Sequence, residues 1–435
     1  MKENIPEAVN AVRIKMSQLW IDEKQDTAGQ VKAWLAEQTK EWGLSGRKTL
    51  LIVPDQTRTA PLGMLFKAFC DLWLGSAAML DVMVALGTHP PMSEEAICRR
   101  LDLTERERSE RYGKVRFFNH DWSDPAALKT VGKLTRETIA ELSGGLFSID
   151  VEVQVNRKIF DYDQILILGP VYPHEVVGFS GGNKYLFPGI SGAEIINFFH
   201  WLGAVVTSPA IIGRAHTPVR AVVDRAAALI DMPKFCLCMV TDHRGDLAVL
   251  TAGTPEQAWA DAWPHTERLH VTFKDHAFRQ ILSCAPEMYD ELWVAGKCMY
   301  KLEPVLADGG ELIIYAPHLS KISDTHGERI LKNGYHCRDF FLKQWERYKT
   351  EPWGVLAHCT HVFGGGQYDP VSGVETPRAR VTLATQIPEN VCRRLNLGYR
   401  DPFSIRPEDF ADREEEGILL VPKAGEMLYR LKDAK

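Results

Sequence analysis

Two histidines, a lysine and a glycine-rich turn lie close together in one segment of this chain, from His174 to His200. Gly181 and Gly182 can bring backbone amides near a ligand because no side chain intervenes. Lys184 follows them with an amine, and His200 lies inside the helix predicted to come next. Amides for an anion, an amine nucleophile and an imidazole for a metal are the parts of an anchored cofactor site.

Three polar residues follow apolar runs that are typical of buried strands. Asp55 ends LLIVPD, His89 ends VMVALGTH, and His174 ends ILILGPVYPH. In open α/β sheets, ligands bind beyond the carboxyl ends of the strands. We therefore expect these three side chains to converge on one crevice, unlike His276 and His336, which follow no such strand.

The elements that would position these residues alternate between short apolar runs and helical patterns, which predicts α/β architecture. The predicted strands cover 48–54, 79–86, 164–170, 235–241, 291–296, 310–317, 353–359, 380–386 and 417–422. The predicted helices cover 61–74, 93–103, 130–142, 192–206, 217–230, 254–270 and 337–348.

The length of the chain, 435 residues, exceeds what one hydrophobic core usually supports. We predict two α/β domains with the active site in the cleft between them. The first is an N-terminal cofactor-binding domain over 1–270, and the second covers 271–404. A return of about 405–435 to complete the first domain is also considered, because α/β chains often close in that way.

Composition excludes several classes of protein. The net charge of −6 argues against nucleic-acid or anionic-membrane binding, which favours a basic surface. The N-terminus lacks the apolar core of a signal peptide, and no apolar run is long enough for a membrane span. Nine scattered cysteines without a C-x-x-C pair indicate a reducing compartment, and we predict a cytoplasmic protein.

Each candidate residue also has an ordinary structural interpretation. A lone histidine is more often structural than catalytic, and residues 55–61 could simply cap a helix, with Arg58 near its start. Zinc is the metal first suggested by His89, His174 and His200, but their spacings match no zinc motif. Lys184 lies in neither a phosphate-binding loop nor a nicotinamide fingerprint.

Three sequence blocks, taken together and in order, resemble the nickel-dependent lactate racemase family. SGGNK at 180–184 and PGISG at 188–192 are similar to the family's SGGxK…PGIxG block. DQTRTAP at 55–61 is similar to its D-x-T-R-P-x-P loop, and GTHPPMS at 87–93 to its G-T-H-R-P-M-T loop. The resemblance is strong to about residue 205 and weak beyond it.

This resemblance implies a nickel-pincer nucleotide, a pyridinium mononucleotide that grips nickel through two sulfurs and a ring carbon. It implies that Lys184 holds the cofactor covalently through a thioamide and that His200 is the protein's nickel ligand. Asp55 and Thr57 would contact the nucleotide, and Arg58 the substrate carboxylate. Square-planar sulfur and imidazole ligation suits Ni(II).

The family's reaction, as implied here, is racemisation or epimerisation of a 2-hydroxy acid by reversible hydride transfer. His89 and His174 would exchange the hydroxyl proton on opposite sides of the substrate. Gly181 and Gly182 would contact the cofactor. The expected partners are a small 2-hydroxy acid and the proteins that make the cofactor, with no nucleic acid and no membrane.

One block departs from the lactate-specific pattern Y-Q-x-x-K. Here Tyr300 matches the tyrosine, Lys301 replaces the glutamine, and Pro304 stands where lysine is expected. We expect Tyr300 and Lys301 to bind a substrate that is not restricted to lactate, and that is larger or more polar. The alternatives are a zinc-dependent hydrolase or lyase using the same histidines, and a non-catalytic protein that binds a sugar acid.

Overall fold

The computed structural model describes residues 17–57 and 60–432. The strands are, in chain order, β1 (Ser17–Trp20), β2 (Lys48–Pro54), β3 (Met79–Ala85), β4 (Phe117–Asn119), β5 (Leu128–Leu134), β6 (Val151–Asn156), β7 (Gln164–Pro170), β8 (Pro173–His174), β9 (Gly178–Phe179), β10 (Lys234–Thr241), β11 (Leu247–Gly253), β12 (Val271–Lys274), β13 (Phe278–Cys284), β14 (Leu306–Ala316), β15 (Gly366–Asp369), β16 (Val374–Pro377), β17 (Arg380–Thr385), β18 (Gly398–Tyr399), β19 (Ile418–Val421) and β20 (Leu428–Leu431).

The α-helices range from one turn to four turns in length. They are α1 (Thr27–Gln38), α2 (Leu62–Trp73), α3 (Glu94–Arg100), α4 (Arg136–Leu142), α5 (Ala193–Val206), α6 (Ser208–Ile211), α7 (Pro218–Ala227), α8 (Pro255–His270), α9 (Leu292–Ala295), α10 (Lys297–Tyr300), α11 (Gly327–Asn333), α12 (Arg338–Leu342), α13 (Trp345–Tyr348), α14 (Trp353–Phe363) and α15 (Glu389–Arg394).

A seven-stranded sheet organises the first half of the chain, in the order β1-β11-β10-β7-β2-β3-β4. Strands β10, β7, β2, β3 and β4 are parallel, and β11 and β1 add an antiparallel edge. From β2 the chain proceeds outward through β3 and β4, and from β7 it proceeds the other way. The crevice between the ends of β2 and β7 is therefore the topological switch point, where α/β proteins bind ligands.

Both faces of this sheet are buried, which explains why its strands are continuously apolar rather than alternating. In β2, Leu50 and Ile52 enter one core, while Leu51 and Val53 enter the core on the opposite face. Helices α7 and α8 begin as predicted, with Thr217 and Thr254 as N-caps before a proline.

A second sheet, of five parallel strands in the order β18-β17-β14-β13-β19, organises the other half. The predicted α/β class is confirmed. β19 pairs with β13 in this second sheet, and β20 pairs with β12 outside both large sheets. The predicted return of 405–435 therefore supplies no strand to the first sheet. We propose a division near residue 270, just before β12.

Three sequence-based elements differ from the structure. The run 291–296 forms α9 instead of a strand, and 353–359 belongs to α14. Segment 130–142 divides into strand β5 and helix α4, because Thr135 caps the helix at that point. The runs 291–296 and 353–359 are short and apolar, and such runs are ambiguous between helix and strand.

All nine cysteines are unpaired by disulfides. Cys236 and Cys238, expected to be packed inside, are fully buried in β10. In the described part of the chain, no helix has both the length and the apolar character needed to cross a membrane.

Candidate active site

A cavity of about 180 Å³ lies beyond the carboxyl ends of β2, β3 and β7. It is closed on its other side by α9, α10 and α14, which connect strands of the second sheet. The structure brings most of the predicted site residues together in its wall, namely Asp55, Thr57, His89, His174, Lys184, His200 and Tyr300.

His89 is paired with a buried carboxylate. Its Nδ1 lies 2.5 Å from Oδ2 of Asp55, while Oδ1 of Asp55 accepts hydrogen bonds from the backbone N–H and the hydroxyl of Thr57. Burial alone would raise the pKa of Asp55, but the hydrogen bonds from His89 and Thr57 outweigh it and hold this pKa below its ordinary value. The carboxylate is therefore ionised and orients the imidazole.

His174 has a similar arrangement in a more enclosed position. Its Nδ1 lies 3.2 Å from Oε2 of Glu175 and accepts a hydrogen bond of 3.1 Å from the N–H of Val176. The His174 side chain is only 6% exposed, whereas that of His89 is 35% exposed. The cavity thus has two histidine–carboxylate pairs with unequal access to solvent.

His200 lies on α5 with its ring tautomer fixed by the backbone. Its Nδ1 is 2.7 Å from the carbonyl oxygen of Ile196, and since a carbonyl only accepts, Nδ1 carries the proton. Nε2 therefore has the lone pair that a metal ligand needs. Burial, together with the nearby charge of Lys184, lowers the pKa of His200 to about 4, so the ring is neutral near pH 7.

Among the residues that the structure describes, no three His, Cys, Asp or Glu side chains are grouped to hold a metal by themselves. His89 and His174 are engaged by carboxylates, which leaves His200 as a single ligand-ready imidazole beside Lys184. This set fits a metal carried by an organic cofactor better than a metal held only by protein ligands.

Gly181 and Gly182 do not belong to the wall of this cavity, and their contact with a cofactor stays a prediction. A Cβ on Gly181 would meet Val171 at 2.6 Å, and one on Gly182 would meet the carbonyl oxygen of Pro255 at 2.9 Å. Both have positive φ, so glycine is required for the turn and for close packing against the start of α8. The pair positions Lys184 rather than lining the cavity.

The turn that carries Lys184 is held firmly from behind. Nδ2 of Asn183 donates to Asp224 and Glu256, and the Arg220 guanidinium donates to the carbonyl oxygens of Phe179 and Gly181. Such support fixes the backbone from which the lysine amine projects.

The opposite wall comes from the second half of the chain, and Tyr300 is the predicted site residue that the structure places in it. Trp293 stacks on His358 with ring centroids 4.1 Å apart, and Nε2 of His358 lies 3.2 Å from the hydroxyl of Tyr335. His361 lies one turn further along α14, 6.2 Å from the Tyr300 ring. Burial lowers the pKa of His358 well below its usual value and that of His361 to about 4, so both are neutral.

These histidines are not among the predicted site residues, because residues 353–359 are predicted to form a strand, in which the two would not share a helical face. The apolar positions 355, 356, 359 and 362 have helical spacing, and Pro352 stands where a helix can begin. With that periodicity recognised, His358 and His361 would have been placed on one helical face.

Two predicted substrate ligands need separate treatment. Lys301 does not line the cavity: it is buried, and its Nζ donates to the carbonyl oxygens of Pro173 and Glu426. A buried ammonium requires such partners, so its role here is to tie α10 to the segment that leads into His174. Arg58 lies outside the described residues.

The fold and the cavity together define a class of α/β proteins with two large sheets and a histidine-rich site at the switch point of the first. Residues 1–211 match the family model described as the lactate racemase N-terminal domain. The chain is also 24% identical over 289 residues to a lactate racemase from Thermoanaerobacterium thermosaccharolyticum, a match that covers 65% of this chain and 62% of that protein, less than two thirds of its length.

Two solved structures extend this comparison. A Thermotoga maritima protein is 32% identical, with a TM-score of 0.85 over 95% of this chain and all of that one. The lactate racemase apoprotein of T. thermosaccharolyticum shares the fold, with a TM-score of 0.66 at 17% identity over 93% of this chain and 89% of that one. The resemblance of this chain to the lactate racemase family is confirmed.

Proposed function

We propose that the protein is a racemase or epimerase of 2-hydroxy acids. The observation that carries this proposal is the presence of two histidine–carboxylate pairs, Asp55–His89 and Glu175–His174, in the wall of one cavity. A racemase must remove a proton on one side of its substrate and deliver one on the other. Two paired imidazoles in one site supply both functions.

The hydrogen on C2 of such an acid is a poor proton source, so the reaction needs a group that accepts hydride. We propose the nickel-pincer nucleotide for that role: when bound, it takes the C2 hydrogen as hydride and returns it to either face. Lys184 would anchor it covalently, and His200 would provide the protein's metal ligand through Nε2. In the structure the carboxylate of Asp55 is hydrogen-bonded to His89. The proposed contact between Asp55 and the nucleotide would use this same carboxylate.

The protein's own residues then handle the proton and hold the substrate. His89 takes the hydroxyl proton through Nε2 while its Nδ1–H is held by Asp55, which stabilises the imidazolium. The other histidine gives a proton to the oxygen of the product. We propose Arg58 and Tyr300 as the groups that hold the substrate carboxylate.

The proposed substrate is larger than lactate. A second cavity, of about 530 Å³, adjoins the first and shares Thr88, Ile196, His200, Trp293 and Gly354 with it. Its wall includes Trp122, Trp353 and Val355 together with the acidic Asp150 and Glu194. Substituents beyond C3 could extend into this space.

The alternatives lead to different measurements. A zinc hydrolase or lyase would need a three-ligand protein site, and a sugar-acid-binding protein would show no turnover. The proposal also includes a cytoplasmic location and dependence on cofactor-biosynthesis proteins. It is tested by producing the protein with those enzymes, measuring its metal, and following enantiopure 2-hydroxy acids by chiral chromatography. Stoichiometric zinc, or binding without inversion of any acid, would overturn it.

A further inference from the structure

The substrate of the proposed reaction carries a carboxylate, and the cavity that would receive it already has acidic side chains. Asp55 and Glu175 line its wall. A further carboxylate in a partly enclosed cavity is costly unless a cation pairs with it. The wall must therefore supply a positive charge at the place where the substrate carboxylate binds.

Two lysines, Lys184 and Lys297, line this wall, and among the described residues no arginine does so. Three imidazoles in the wall carry no charge near pH 7. Burial lowers the pKa of His200 and that of His361 to about 4, and the pKa of His358 well below its usual value. Attachment of the proposed cofactor converts the Lys184 amine to a thioamide, whose nitrogen is not positively charged. Lys297 is then the one lysine or arginine of the described wall that keeps its charge.

Lys297 lies at the start of α10, on the wall opposite the strand ends of the first sheet. Its side chain is half-buried, and its Nζ lies 4.9 Å from the centroid of the buried Tyr289 ring. A ring face attracts an ammonium group but does not neutralise it. This contact therefore orients the Lys297 side chain and leaves its positive charge available to a ligand.

Tyr300 follows Lys297 by three residues, and side chains at this spacing are neighbours on a helix. Both residues line the cavity, which places an ammonium group and a phenol on the same wall. Lys301, the lysine predicted to bind the substrate, instead donates to the carbonyl oxygens of Pro173 and Glu426. The cation expected of Lys301 is thus supplied by Lys297, one turn earlier in the chain.

We propose that Lys297 binds the substrate carboxylate, with Tyr300 beside it, and this inference rests on the proposed racemase function. The carboxylate then lies against α10, on the wall opposite Asp55 and Glu175. From there C2 extends towards the paired histidines at the strand ends. Lys297 pairs with the charge of the substrate and takes no part in proton or hydride transfer.

The test measures binding to the cofactor-loaded enzyme, with pyruvate and pyruvamide as probes. Pyruvate is a small 2-keto acid with a carboxylate at C1, and pyruvamide is its uncharged isostere. We expect the wild-type protein to bind pyruvate more tightly than pyruvamide in calorimetric titrations. Lys297→Met keeps the length of the side chain but removes its charge. It should weaken pyruvate binding about tenfold to a hundredfold, the range for a hydrogen bond to a charged group, and leave pyruvamide binding unchanged.

Steady-state kinetics provide a second measurement. A contact made equally in the ground state and the transition state affects KM but not kcat. Lys297→Met should therefore raise the KM of the acid that the enzyme inverts by a similar factor, with kcat retained. Lys297→Arg keeps the charge and should recover part of the affinity for pyruvate. If Lys297→Met does not fold, Lys297→Gln is a second neutral variant with the same expected result.

Lys40→Met is the control, because it makes the same change at a largely exposed lysine. It should alter neither the KM nor the affinity for either probe. Intact-mass analysis should show the cofactor adduct on Lys184 in every variant, so that a change in binding is not caused by loss of the cofactor.

The inference is overturned if the wild-type protein does not distinguish pyruvate from pyruvamide, or if Lys297→Met binds pyruvate as tightly as the wild type. It is also overturned if Lys297→Met loses affinity for both probes equally, because Lys297 would then only shape the cavity. Failure of the proposed function has a different signature: the wild-type protein would invert no 2-hydroxy acid, whatever its affinity for pyruvate.

Discussion

The two walls of the candidate active site are built from different kinds of residue. The wall at the strand ends of the first sheet carries the charged groups: Lys184, two histidines paired with carboxylates, and His200. The wall from the second half of the chain carries Trp293, Tyr300 and the neutral His358 and His361. We infer that the first wall carries the reaction and that the second selects the substrate.

The division between the walls has a physical basis. Strand ends at a switch point hold short loops rigidly, which suits groups that must be placed accurately. A wall of stacked aromatic and imidazole rings recognises a ligand through its shape and through single hydrogen bonds. Substitutions in such a wall can change the substrate preference without moving the groups that carry the reaction. Each prediction below changes one wall.

The largest effect should come from Lys184→Ala, which removes the proposed cofactor anchor. Intact-mass analysis of the active wild-type protein should show an adduct that maps to the peptide of Lys184, and the variant should lose both the adduct and all racemase activity. Lys297→Ala is the matched control, since Lys297 is the lysine on the opposite wall. It should retain the adduct. An active wild-type protein with the mass of the bare chain would refute covalent anchoring.

The paired histidines should have the next largest effect. His89→Ala and His174→Ala should each reduce net racemisation by about 10²-fold to 10⁴-fold, the range for loss of a general acid–base group, with the metal retained. His200→Ala should instead lose the metal, as measured by elemental analysis. If His89→Ala loses the metal while His200→Ala keeps it, the roles within the first wall are reversed.

Substitution in the second wall should change which acid is preferred. We expect larger acids among malate, 2-hydroxyglutarate, phenyllactate and gluconate to exceed lactate in kcat/KM. Trp293→Ala, which opens the boundary between the two adjoining cavities, should alter that preference by about tenfold to a hundredfold while inversion persists. Lactate as the clear best substrate of the wild-type protein would contradict a wall built for larger acids.

The smallest effect concerns stability against pH. The pKa of His361 is lowered to about 4 in the folded protein, below the value near 6.5 of an unfolded chain. Its neutral form therefore contributes stability that is fully present above about pH 6.5 and is lost as the pH falls towards 4, on the order of 3 kcal/mol. Denaturant unfolding of the apoprotein should show that the free energy of unfolding changes less steeply with pH in this window for His361→Phe than for His243→Phe. The control variant His243→Phe makes the same change at an exposed turn. Equal slopes would mean that His361 is not held neutral by burial.

The first wall could be predicted from the sequence to a large extent. Asp55, His89 and His174 each follow a continuous apolar run, and such runs become parallel strands whose ends converge. The pairing of Asp55 with His89 could not be predicted, because it depends on how two neighbouring loops fold back. The packing of Gly181 and Gly182 against Pro255 and Trp259 likewise joins segments far apart in the chain.

The second wall was predicted poorly for a local reason. Residues 353–359 are apolar enough to be either a buried strand or a buried helix, and the choice decides where His358 and His361 point. Lys301, predicted to bind the substrate, lies outside the cavity wall and donates to the carbonyl oxygens of Pro173 and Glu426. A lysine can satisfy its charge on backbone carbonyls of a neighbouring segment, which sequence spacing does not reveal.

The hydrogen bonds made by Lys301 couple the geometry of the site to the distance between the two halves of the chain. Its ammonium group holds the carbonyl oxygen of Pro173, the residue directly before His174, from the end of α10 on the other side of the cleft. The cleft cannot widen there without stretching this contact or displacing the base. Product release and displacement of His174 from its working position would then occur together. A 2-keto acid intermediate could not escape while His174 remains in position to act on it.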